Sequence, residues 1–194
     1  FLNNDISTAL RITASADQEI FVSARTPLIY ILHKLFNPFV KNEIIFIRSV
    51  FFISLSLPFL FYLCLREKFK EKENLLLILI SSIVLLSPYF RTSSFWAGEE
   101  NFGLISLLIS FIFLNQFLSN NKNILKDYYR LFLTVFFSSI TLYFDQKLAI
   151  IPLICFFQII FSKKSHKLKF FSILFYFIFS LPYVYLITIW GGII

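Results

Sequence analysis

Six blocks of apolar residues, separated by short charged clusters, run along this chain: residues 44–65, 75–90, 102–117, 128–144, 148–161 and 170–190. The amphipathic helix of a soluble domain confines its apolar residues to one stripe facing the core. Here they fill whole segments, as expected of helices surrounded by lipid. A bilayer core about 30 Å thick takes about 20 residues of helix to cross. Residues 44–65 and 170–190 meet that length, whereas residues 148–161 make only about 21 Å of helix. Residues 128–161 are therefore expected either as two spans or as a re-entrant hairpin; both return the chain to the same side.

Residues 1–43 read differently, punctuated by Asp5, Arg11, Asp17, Glu19, Arg25, His33, Lys34, Lys41 and Glu43. Ser23-Ala24-Arg25-Thr26-Pro27 has the composition of a turn, with Pro27 suited to the first position of a helix. The apolar run Leu28 to Phe36 is too short to cross a bilayer and is expected to lie at its surface. The fold class that follows is all-α: a polytopic transmembrane helix bundle, residues 44–194, preceded by an extracytoplasmic loop, residues 1–43, carrying interfacial helices.

Composition agrees with a membrane chain. Of 194 residues, 58% are hydrophobic and 28 are Phe, against four Gly, where soluble domains average about 45–50% apolar. With no Met and an apolar end at Gly191-Gly192-Ile193-Ile194, the sequence reads as an internal piece of a longer protein. Cys64 and Cys155 both lie inside apolar blocks and are expected as small packing residues. The net charge of +7 does not point to nucleic acid, because in a membrane chain its distribution matters more than its sum.

That distribution is uneven. Residues 66–73, 119–130 and 162–169 hold 11 of the 18 Lys and Arg. The positive-inside rule makes these three turns cytoplasmic. Residues 1–43, Ser87 to Asn101, and Asp145-Gln146-Lys147 then meet on the opposite face. Arg48 lies about one turn inside its block, where its side chain reaches the headgroups.

Ser87 to Asn101 is the most polar stretch between two apolar blocks. It is expected as a hydrated turn with Tyr89 and Trp96 as anchors, and Arg91, Glu99 and Glu100 make it a candidate site. Its partners on that face are the carboxylates Asp5, Asp17, Glu19 and Asp145 and the cations Arg11, Arg25 and Lys147. A carboxylate there can act as general base on a hydroxyl, and a nearby Arg or Lys can stabilise a phosphate leaving group. The bland alternative, solvated loop charge, applies to each of them singly. There is no phosphate-binding Gly-rich loop, dinucleotide fingerprint, His/Cys metal spacing or nucleophile elbow.

The order of features along residues 1–118 resembles the GT-C superfamily of membrane glycosyltransferases, in the branch of protein O-mannosyltransferases and aminoarabinose transferases. The residues that carry it are Asp5; Thr26-Pro27-Leu28-Ile29-Tyr30-Ile31-Leu32; Glu43 with Arg48; the basic turn Arg66 to Glu73; and Leu85-Leu86-Ser87-Pro88 with Arg91. The resemblance implies an inverting sugar transfer from a polyprenyl-phosphate-linked donor to a glycan, lipid or protein acceptor. The reaction would take place on the outer face of a bacterial cytoplasmic membrane. It implies Asp5 as catalytic base, Arg25 and Arg91 at the donor phosphate, and Glu99, Glu100 and Lys147 in substrate binding. The acidic pair usual in the family is here Asp5 alone, flanked by Asn4 and Ile6; either one member is replaced or the motif lies upstream of residue 1. No cofactor follows from these residues, and a divalent metal stays open. The alternative is a polytopic transporter or flippase for lipid-linked glycans without covalent chemistry, which predicts broken helices and a polar site near the midplane.

Overall fold

The computed structural model describes residues 28, 32, 43–70, 72–95, 98–119 and 124–190, and every regular element among them is helical. The elements are α1 (Glu43–Ser54), α2 (Ser56–Lys68), α3 (Asn74–Ser82) with a 3-10 turn (Ile83–Leu86), α4 (Pro88–Phe95), α5 (Glu100–Leu118), α6 (Ile124–Phe144), a second 3-10 turn (Gln146–Leu148), α7 (Ile150–Ile160) and α8 (His166–Trp190).

Two prolines shape the first half. Pro58 has no N–H for the Ser54 carbonyl one turn back, and the helix register lapses just there, at Leu55, between α1 and α2. Pro88 bars the residue before it from helical backbone, and Ser87 is accordingly extended (φ −62, ψ 123). Pro88 then opens α4, where its missing N–H costs nothing. The result is a 58° bend between Asn74–Leu86 and Pro88–Phe95. The apolar block 75–90 is thus broken, and most of the expected hydrated turn after Ser87 is the helix α4.

Among the described residues, three helices are long and apolar enough to cross a membrane: Ile47–Lys68, Glu100–Leu118 and His166–Tyr185; the bent pair makes a fourth if it counts as one span. Of the two remaining blocks, α6 has the length, at 21 residues, but begins with Lys126, Asp127 and Arg130. The other, α7, is shorter than the block 148–161 that contains it: 11 residues, about 16 Å of helix.

The bundle is held by small and hydroxylated side chains. Gly103, Ser106, Ser110, Leu114 and Phe117 form the buried stripe of α5, and Leu131, Thr134, Val135, Ser138 and Thr141 that of α6; the two helices pack along their length. Small residues let helix backbones approach closely where lipid removes any hydrophobic drive between spans. The buried hydroxyls return to their own helix, Thr134 Oγ1 to Arg130 O at 2.8 Å and Thr141 Oγ1 to Ser138 O at 2.6 Å. Others cross between helices. Ser138 Oγ meets Tyr176 Oη at 2.9 Å, and Cys155 Sγ lies 4.0 Å from Ser110 Oγ. Cys155 is fully buried and fills core space, as its apolar setting predicts.

Side-chain contacts fix helix directions. On α6 and α8, Tyr128 meets Phe171, Ser138 meets Tyr176, and Tyr143 Oη donates to Phe179 O at 2.6 Å. The two helices therefore run parallel. Likewise α2 and α5 run parallel, from Asn101 Nδ2 donating to Ser54 Oγ to Gln116 Nε2 donating to Glu67 Oε1.

The bundle thus has two polar ends. At one, Glu67, Gln116, Ser119, Asp127 and Lys164 meet, which gathers the three basic turns 66–73, 119–130 and 162–169. At the other end lie α4, the start of α5 and the turn Asp145–Leu148. Leu28 and Leu32, one helical turn apart and both helical, pack there against Phe144, as do Phe102 and Ile140. The grouping inferred from Lys and Arg counts is the grouping of the fold.

Candidate functional site at the acidic end

Glu100 is the first residue of α5, where a carboxylate suits the positive end of the helix dipole. Its Oε2 accepts from Ser93 Oγ of α4 at 2.9 Å. The chain turns back between them through Gly98, whose N–H donates to Ser93 O at 2.8 Å. A Cβ at Gly98 would collide with the Glu100 carboxylate and lie 2.8 Å from Ser93 Oγ. A side chain there would push the Glu100 carboxylate from its place.

Asp145 follows the last residue of α6 and is buried, 8% exposed. A carboxylate at a helix C-terminus faces the unfavourable end of the dipole. One donor compensates: its Oδ1 accepts the Lys147 backbone N–H at 2.9 Å, an N-cap on the 3-10 turn. The Tyr89 phenol of α4 lies close beside its side chain. The same phenol lies within electrostatic range of Glu100 and Glu99. Gly103 lets the turn come this close to α5: a Cβ there would stand 2.6 Å from Leu148 Cδ1 and 3.6 Å from Asp145 Cβ.

Asn101 knits the site from behind. Its side chain is fully buried, and Nδ2 donates to Ser94 Oγ at 2.8 Å, to Ser54 Oγ at 3.0 Å and, at a longer 3.4 Å, to Phe90 O. One amide thereby joins α1, α4 and α5. Its Oδ1 has no hydrogen-bond partner among the described residues.

Of the residues singled out from sequence, Glu99 and Glu100 stand together at this end, half-buried. Arg91 and Lys147 share the end and are exposed; the Lys147 contact to Asp145 runs through its backbone, not its ammonium. Asp5 and Arg25 lie outside the described residues, as does Trp96. Sequence reading missed Tyr89 as a partner of carboxylates, Asn101 as a hub, and the centrality of Asp145, which it counted only as one loop acid among several. A signal existed for Asn101, an amide at the threshold of an apolar helix; none existed for the Tyr89–Asp145 pairing, which joins residues far apart in the chain.

Chemically the end offers carboxylates held by neutral donors, the setting in which a carboxylate can exchange a proton or grip hydroxyls. Among the described residues no group of three His, Cys, Asp or Glu side chains is placed to hold a metal ion. Comparison with protein-family models, curated proteins and solved structures finds no match.

Proposed function

We propose that this chain belongs to a membrane glycosyltransferase that moves a sugar from a polyprenyl-phosphate carrier to an acceptor at the membrane surface. The single observation behind the reading is the meeting of Tyr89, Ser93, Glu99, Glu100 and Asp145 at one end of a bundle with membrane-spanning helices. The motif order along residues 1–118 supplies the reaction class.

In this proposal Asp5 takes the proton from the acceptor hydroxyl as its oxygen attacks the anomeric carbon. The carbon–oxygen bond to phosphate breaks, and the polyprenyl phosphate leaves with the electron pair, which inverts the sugar centre. Arg91 and Arg25 meet the phosphate charge. Glu99, Glu100 and Asp145 hold sugar hydroxyls, and the exposed Lys147 stands at the rim. The outer face of a bacterial cytoplasmic membrane, opposite the basic turns, is the location this orientation favours.

The test is transfer by the full-length protein in proteoliposomes, with a radiolabelled polyprenyl-phosphate sugar and extracted membrane acceptors. Turnover by the wild type, lost by about 100-fold or more in Asp5→Asn, supports the assignment. Wild-type rates in Asp5→Asn remove Asp5 as the base, and a wild type inert toward every such donor overturns the reading.

One observation favours a transporter of lipid-linked glycans instead. The bend of 58° after Leu86 is a broken helix, the device transporters use at their sites. Here the break opens beside the acidic end, and the core hydroxyls of Ser110, Ser138 and Tyr176 already have partners. Movement of the labelled lipid between leaflets without a covalent product would favour the transporter.

A further inference from the structure

The basic end is not uniformly basic. Residues 119–130 and 162–169 carry seven Lys and Arg against one acid, Asp127, whereas residues 66–73 carry four Lys and Arg against three Glu. Asp127 is buried and occupied, with Lys164 Nζ at 2.7 Å and Arg130 Nη1 at 3.8 Å. Glu67 accepts from Gln116 and lies 3.9 Å from Lys70 of its own turn. The positive charge of this end is therefore concentrated at the starts of α6 and α8, whose one carboxylate is turned inward. Lys164 also fixes the two starts together. Its ammonium reaches Ser119 O at 3.2 Å as well as Asp127, and Tyr128 packs edge-on against Phe171 just inside. On this fixed base Lys126, Lys163 and Lys167 are exposed.

Below these cations lie aromatic rings. Residues three and four apart share a helix face, which puts Tyr129 on the face of Lys126, and Phe170 and Phe171 on the face of Lys167. All three rings are exposed, as are Leu125 and Phe161. Each lysine precedes its ring by about 5 Å of helix. An ammonium outermost, with an aromatic ring nearly one turn deeper, is the vertical order of a membrane interface: phosphates first, then the tops of the chains. A soluble polyanion meets the lysines and leaves these rings in water, whereas a phospholipid meets both.

We infer that the starts of α6 and α8 form a docking surface for anionic phospholipid headgroups, centred on Lys163 and Lys167 with Lys126 beside them. Acidic lipid gathers around these two helices and not around the turn between α2 and α3. Each Lys or Arg near an anionic bilayer strengthens the attraction about fivefold, so seven basic residues against one inward acid hold what four against three do not. The surface lies at the end opposite Glu99, Glu100 and Asp145 and takes bulk phospholipid, not a sugar donor. The inference rests on membrane insertion and not on sugar transfer, so each can fail without the other.

The test is lipid preference read at the surface itself. A fluorophore is placed on Ser165→Cys, between the two lysines, in the full-length protein, with the wild type labelled in parallel as blank for Cys64 and Cys155. Phosphatidylcholine nanodiscs receive a small, equal fraction of phosphatidylglycerol or phosphatidylcholine bearing the same nitroxide near the top of one chain. Expected is quenching about threefold stronger, or more, by the phosphatidylglycerol. That preference should vanish in Lys163→Gln/Lys167→Gln and in about 1 M salt, and persist in Lys68→Gln/Lys70→Gln. If the first double variant does not fold, Lys167→Gln alone should lower the preference by about half or more. Equal quenching by the two lipids in the otherwise wild-type protein overturns the inference. An equal fall in both double variants also overturns it, because net charge and not this surface would then set the preference. Inorganic polyphosphate bound in pure phosphatidylcholine discs, with no preference between the two lipids, assigns the surface to a soluble polyanion and overturns it too.

Discussion

Each end of the bundle buries a carboxylate, and the two are satisfied in opposite ways. Asp127 is 5% exposed and lies between two cations, Lys164 Nζ at 2.7 Å and Arg130 Nη1 at 3.8 Å. The Lys164 ammonium also stands 5.2 Å from the Phe117 ring centre. Asp145 is 8% exposed and accepts a backbone N–H beside the Tyr89 phenol, with no ion pair to a described residue. A buried charge with an opposite charge in contact is a fastener: it holds the α7–α8 turn against the α5–α6 turn. A buried carboxylate satisfied by neutral donors keeps its charge available to something else. Among the described residues, the basic end is closed by ion pairs and the acidic end by neutral hydrogen bonds.

The comparison breaks most sharply at Lys164. Lys164→Ala leaves Asp127 buried with only the distant Arg130, and removing one partner of a buried pair costs about 3–5 kcal/mol. Reversible unfolding in mixed micelles should show that loss, while Lys147→Ala, an exposed cation at the other end, should stay within about 0.5 kcal/mol. Equal losses from the two would erase the distinction.

Next comes Asn101→Ala, which removes the amide joining α1, α4 and α5. Leaving Ser54, Ser94 and the Phe90 carbonyl without it should cost about 2–3 kcal/mol in the same unfolding assay. Faster amide exchange should be confined to α4 and the start of α5.

Gly103→Ala should cost about 1–2 kcal/mol, because the new methyl meets Leu148 Cδ1 at 2.6 Å and that side chain must shift. The sharper readout is positional: amide exchange should quicken in the turn Asp145 to Leu148 and stay unchanged around Lys164. Smallest is Ser93→Ala, which removes one hydrogen bond from Glu100 and should cost about 1 kcal/mol or less. If the acidic end binds substrate, that variant raises KM for the lipid donor more than it lowers kcat.

Much of this was readable from residues alone. The apolar blocks announced helices, and the Lys and Arg counts grouped the turns 66–73, 119–130 and 162–169 that Glu67, Gln116, Asp127 and Lys164 now join. Ser87-Pro88 announced an ending, because proline bars its predecessor from the helix. What failed was local. Residues 88–95, expected as a turn for their Arg, Thr and Ser content, form α4, where Ser94 and the Phe90 carbonyl meet Asn101. The 75–90 block was read as one segment because hydropathy does not register a bend.

Residue order alone announced helices, apolar enough in three cases to cross a membrane among the described residues, and which turns lie together, because hydropathy and charge act on each segment independently of its neighbours. Which carboxylate is paired with a cation and which stands beside a phenol depended on helices meeting side by side. Asp127 lies 37 positions from Lys164, and Asp145 lies farther still from Tyr89. Only the tertiary structure gave one acid a cation and the other a backbone N–H, since burial and partner choice are properties of contacts and not of residue types.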